Sequence, residues 1–108
     1  MANEAKARDL TTLRNSCHNA ARNKGFYDGV YTTQDEGHHI NQQLVHLMIE
    51  VGELADTFRK TGSLDAPEAA DIIIVLLDLC GFMDIDIEGA VDAKMARNAT
   101  RPARYGVK

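Results

Sequence analysis

The chain has 108 residues, of which 44% are hydrophobic and 26% charged, with a net charge of −4. One domain spanning 1–108 fits this length and two do not, and the apolar content is too high for a disordered chain. The acidic balance disfavours a general nucleic-acid binder, and the longest apolar run, Ile72–Leu77, is far shorter than the ~18 residues of a membrane span.

The opening Met1-Ala2-Asn3-Glu4-Ala5-Lys6 mixes charges and has no apolar h-region, so no secretory signal is expected. Leu10, Leu13, Cys17 and Ala21 recur at helical spacing, which predicts an amphipathic helix over 4–23. Residues 24–38 break the pattern with Gly25, Gly29 and Gly37 and read as a long connection of the kind that forms lids or binding segments. Ile40, Leu44, Leu47, Met48, Val51, Leu54, Ala55 and Phe58 predict a second helix from about Ile40 to Lys60, stopped by Gly62. A third helix starts at Asp65-Ala66-Pro67-Glu68, with Asp65 as N-cap, proline in the first turn and Glu68 as a capping-box partner. It runs through Leu79, is apolar nearly all round, and is expected to be buried on most sides. A fourth helix follows Asp86, with Ile87, Ala90, Val91 and Met95 inward, fraying near Asn98 before Pro102.

The fold class is therefore all-α, a four-helix antiparallel bundle. A lone chain of this size cannot cover so apolar a third helix, which predicts a homo-oligomer, a homodimer or dimer of dimers. Cys17 and Cys80 form neither a disulfide framework nor a zinc spacing and read as reduced, buried thiols, so the expected location is cytoplasmic.

The charges are segregated. Thr61–Ala93 holds eight acidic residues and no basic one, and Lys94–Lys108 holds five basic residues and no acidic one. Glu50 and Glu53 lie three apart on the second helix, as do Glu68 and Asp71 on the third, so each pair shares a helix face. The short turn makes these helices antiparallel neighbours and puts Glu53 and Asp71 at nearly one level, so the four acids can line one groove. Four oxygen ligands without imidazole or thiolate select a hard cation, Mg²⁺ or Mn²⁺. The competing reading is two solvated helix faces, with Glu68 serving only the cap. Lys94 and Asn98, one turn apart on the fourth helix, and Arg101 and Arg104 just beyond it are suited to phosphate. They also fit a helix C-terminus dressed with cations.

Glu50-x-x-Glu53, a 14-residue gap and Glu68-x-x-Asp71 resemble the ExxE…ExxD signature of the MazG-like all-α NTP pyrophosphohydrolases, and Lys94 to Pro102 resembles that family's KxxxN…R segment. The resemblance covers about residues 38–106. It implies hydrolysis of (d)NTP to (d)NMP and pyrophosphate, with Mg²⁺ held by Glu50, Glu53, Glu68 and Asp71 and water attacking the α-phosphorus. It further implies Glu53 as the catalytic base, Lys94, Asn98 and Arg101 on the phosphates with Arg104 as outer support, and His38 against the sugar or base, although register could favour His39. His46, four residues before Glu50, reads either as its partner or as an exposed histidine. Asp78, seven after Asp71, could bond the base or a neighbouring chain. Phe26, Tyr27 and Tyr31 could stack on a base, but packing of the connection onto the bundle is the preferred reading. The alternative function is a non-catalytic oligomeric helical module that binds a nucleotide or a partner.

Overall fold

A computed structural model describes residues 8–102 and contains four helices: α1 (Leu10–Asn23), α2 (Thr33–Thr61), α3 (Ala66–Phe82) and α4 (Ile87–Ala99), with no strand among the described residues. Residues 4–7 of the expected first helix lie outside the described residues. Within them α1 begins at Leu10, because the Asp9 carboxylate accepts from the Thr12 N–H at 2.7 Å and caps the first turn.

The largest departure from expectation is the start of α2. The helix begins at Thr33, seven residues before Ile40, which shortens the connection to 24–32. The cause is a capping box: Thr32 Oγ1 accepts from the Asp35 N–H at 3.0 Å while Asp35 Oδ2 accepts from the Thr32 N–H at 3.1 Å. Two orphan donors are satisfied at once, and the helix tolerates Gly37 in its second turn. At the other end Gly62 adopts φ 76°, and its N–H reaches the Phe58 carbonyl at 2.7 Å. A β-carbon is strained in that conformation, which is why glycine ends this helix. Asp65 and Asp86 cap α3 and α4 as their positions suggest, accepting from the Glu68 and Gly89 N–H groups. No reciprocal bond from the Glu68 side chain accompanies the α3 cap, so Glu68 is left available to the site.

Helix α3 is the central element and packs against both α1 and α2. Facing pairs run Arg14 and Ile85, His18 and Gly81, then Lys24 and Asp71, so α1 and α3 are antiparallel. The buried residues are Cys17 and Ala21 of α1, Leu47 of α2 and Leu77–Cys80 of α3, and both cysteines are free. The α1–α3 crossing is tight at Gly81, where a β-carbon would stand 2.7 Å from His18 Cβ and 3.3 Å from the Arg14 carbonyl oxygen. Gly81→Ala is accordingly expected to cost about 1–3 kcal/mol, read as a lower urea midpoint.

The four helices fit the expected all-α bundle, and α4 is its least covered member. Its packed seam is with α1, where Glu88 Oε1 accepts from the Thr11 N–H at 3.1 Å, and none of its residues is buried. Ile87 and Val91 are half-buried, but Ala90 is exposed and Met95 is 65% exposed, so the stripe expected to face inward does so only in the first turns. Helix α3 is likewise less covered than its composition predicts, because Ile73, Ile74 and Leu76 remain exposed. The radius of gyration is 16.7 Å, against about 13 Å for a compact chain of this length. No side chain among the described residues is fully buried. No described helix is long and apolar enough to cross a membrane.

Candidate active site

The α2–α3 seam has a regular antiparallel register. His39 lies opposite Phe82, with ring centroids 6.2 Å apart, Gln43 and Asp78 share one groove with Glu50 and Asp71, and Glu53 stands near Glu68. Each pair follows from the last by equal steps up one helix and down the other. The turn at Gly62 thus brings the two acid pairs onto the same stretch of the seam.

Electrostatics report that proximity. The Glu68 carboxyl is held above the ordinary carboxylate range, first by desolvation and then by the charges of Glu50, Glu53, Asp65 and Asp71. Its folded pKa exceeds its unfolded one, so the stabilisation it contributes is present at acid pH, below the ordinary value of 4.5, and is lost as pH rises through the folded pKa. At neutral pH the ionised group therefore opposes folding. Glu68→Gln is expected to raise the urea midpoint at pH 7, with the gain closing toward pH 4.

Glu50 is half-buried, its side chain 16% exposed. Its Oε2 lies 3.0 Å from Nε2 of His46, one turn earlier, so His46 is both half exposed and the partner of this acid. Its Oε1 is buried and has no hydrogen-bond partner. An unpaired buried acceptor costs about 1–3 kcal/mol, more when charged, unless something arrives to bond it. Glu53 and Asp71 are exposed and can turn toward a ligand. Among the described residues no three His, Cys, Asp or Glu side chains are gathered tightly enough to hold an ion as they stand. The donor set fits a hard cation in its chemistry, all oxygen with one open acceptor, and requires the exposed acids to close on it.

Glu50 and Asp71 stand at the edge of a groove of about 330 Å³ between α1 and α2, floored by α3. Asp78 is 6% exposed and lies in the same groove. Its Oδ1 accepts from the Tyr27 hydroxyl at 2.8 Å and from His18 Nδ1 at 2.9 Å. The two open readings of Asp78 are thereby narrowed, since its bonds tie α1 and the 24–32 connection to α3 within one chain. Tyr27 packs on Phe82 and His39, with ring centroids 4.7 and 4.6 Å away, so it anchors the connection as expected, whereas Tyr31 is exposed. Burial, then the Asp78 bond, lifts the Tyr27 phenol well above its usual range.

The structure does not bring every expected site residue together. Glu50, Glu53, Glu68 and Asp71 lie along one stretch of the α2–α3 seam without gathering into a cluster of three. Lys94, Asn98 and Arg101 are exposed and belong to α4 and its end, which is attached near Thr11. None of the three lines the groove at Glu50 and Asp71. Arg104 lies outside the described residues. His38 is exposed and faces Asp35, while His39 is the inward one, its Nε2 buried and unpartnered. Sequence reasoning missed Gln43 and His18. Gln43 sits seven residues before Glu50, the interval that separates Asp71 from Asp78, and that shared spacing was the available signal.

Comparison with protein-family models, with curated proteins and with solved structures finds no match to this chain.

Proposed function

We propose that this chain is a Mg²⁺-dependent nucleoside triphosphate pyrophosphohydrolase of the MazG-like kind, converting (d)NTP to (d)NMP and pyrophosphate in the nucleotide pool of the cytoplasm. The observation that carries the reading is the unpartnered, buried Glu50 Oε1, which stands with Asp71 at the groove, while the charges of Glu50, Glu53 and Asp71 reach Glu68. Glu50, Glu53, Glu68 and Asp71 would hold the cation, Mg²⁺ or Mn²⁺, with Glu53 leaving that set to serve as the base. When bound, the cation supplies positive charge for the phosphates and Lewis acidity at the α-phosphorus. His46 keeps Glu50 oriented, and Glu53, exposed and free to move, takes the proton of the attacking water. Lys94, Asn98 and Arg101 bind the phosphates.

Helix α4 contributes no residue to the groove, which supports assembly as a homodimer or dimer of dimers, in which Lys94 and Arg101 of one copy approach the acids of the other. Leu44, Val45, Met48 and Ile49 form an exposed apolar face on α2 suited to a second copy. Met48→Glu is expected to weaken self-association by about tenfold or more, seen as a higher monomer fraction in sedimentation.

The first test is a panel of NTPs and dNTPs incubated with Mg²⁺ and with EDTA, with products identified. Monophosphate and pyrophosphate, lost with EDTA and with Glu53→Ala, support the reading. Release of orthophosphate, or no turnover with either Mg²⁺ or Mn²⁺, overturns it. The absence of α4 residues from the groove lining favours, as the second reading, a non-catalytic helical module, for which Glu53→Ala would leave nucleotide affinity intact with no turnover to lose.

A further inference from the structure

We propose that the groove between α1 and α2 is the nucleoside pocket, and that its inner end selects a base whose exocyclic amino group adjoins a ring-nitrogen acceptor. Cytosine and adenine share that edge, and uracil and thymine lack it. The proposal rests on the pyrophosphohydrolase reading in assigning the acidic end of the groove to the triphosphate.

Apart from Lys24, the polar side chains of the trough stand at two levels: Glu50 and Asp71 at one, and Gln43 and Asp78 at the other. The members on each helix are seven residues apart, which sets the levels about 10 Å from each other. That span is comparable with the reach from a nucleobase edge to its α-phosphate. Between the levels the floor is Ile74 and Val75, and Phe26, 58% exposed, stands at the groove with an aromatic face available for stacking. The volume, about 330 Å³, suits a small ligand.

The inner level supplies the selectivity. Asp78 is buried and held by Tyr27 and His18, both through Oδ1, so it cannot swing aside and Oδ2 remains as an acceptor. An exocyclic amino group donates to that oxygen, and the Gln43 amide donates to the neighbouring ring nitrogen. Uracil or thymine would set a carbonyl oxygen against the carboxylate, acceptor against acceptor, in a largely desolvated site.

The test is a titration of the intact protein in EDTA, followed by NMR, with deoxycytidine, deoxyadenosine, deoxyuridine and thymidine. The amino-bearing nucleosides are expected to bind about tenfold or more tighter than the other two, with shifts at Gln43, Ile74 and Asp78. Comparison of deoxycytidine with deoxyadenosine then shows whether one ring or two fills the trough. Gln43→Leu should flatten the preference without disturbing the fold, and Asp78→Asn, which replaces an acceptor with a donor, should move it toward deoxyuridine. Equal binding of all four, a preference that survives Gln43→Leu, or shifts confined to another surface overturns the proposal. Triphosphate turnover without this ranking sinks the pocket and spares the enzyme reading. The ranking without turnover sustains the pocket and sinks the enzyme.

Discussion

Asp78→Ala is expected to lower the free energy of unfolding by about 3–5 kcal/mol, the largest loss of any single substitution considered for this chain. One oxygen of Asp78 accepts from both the Tyr27 hydroxyl and His18 Nδ1, at 2.8 and 2.9 Å. Truncation leaves both donors partly buried and unpaired and opens a void where α1, the 24–32 connection and α3 meet. Asp78→Asn retains a carbonyl acceptor and should lose less. Urea unfolding compares the two directly, and a loss below about 1 kcal/mol for the alanine variant would mean that water replaces the carboxylate without penalty. The same network makes the fold sensitive to base. Burial and the Asp78 bond raise the Tyr27 phenol above its unfolded value of 10.0, so its contribution is fully present below that pH and is lost as pH rises from there through the folded pKa. The urea midpoint of the native sequence should fall above pH 10, and that part of the fall should be smaller in Asp78→Ala.

Glu50→Ala is expected to reduce kcat/KM for the best triphosphate by about 10²–10³-fold while leaving stability unchanged or higher. Its Oε1 has no partner in the fold, and its charge adds to the repulsion felt by Glu68, so the folded chain loses little when the carboxylate goes. A group retained at such a cost is explained by what it binds. Kinetics across a Mg²⁺ titration, with urea midpoints measured in EDTA, separate the two effects. Retained turnover with lowered stability would make Glu50 a structural partner of His46 and nothing more.

Much of the site was legible because it depends on local rules. Asp65, Asp86 and Gly62 each mark a helix boundary through their own chemistry, and the short turn between α2 and α3 fixes which acids can meet. The start of α2 was not legible from apolar spacing, which begins at Ile40, because Thr32 and Asp35 satisfy backbone donors with no apolar residue involved. The course of α4 was hidden for a different reason. Its amphipathic pattern states that a face exists, while the Glu88 contact with the α1 N-terminus decides where the helix attaches, and that contact joins residues 77 apart. Gln43 has no meaning until α1 closes the groove around it. The choice between His38 and His39 turns on about 100° of helix rotation, which the capping box sets and the spacing of Leu44 and Leu47 does not.

The separation in sequence between the two seams also bears on how the protein folds. Glu53 and Glu68 are brought together by a turn a few residues long, whereas the bond from His18 to Asp78 closes a span of 60 residues. Closing a long span costs more chain entropy than closing a short one. The α2–α3 hairpin, with its acids, is therefore the early-forming unit, and the docking of α1 is the late event that creates the groove. A molecule that fills the groove touches both sides of that late seam. It should act on the unfolding rate and leave the folding rate nearly alone, so occupancy lengthens the lifetime of the finished fold without hastening its assembly.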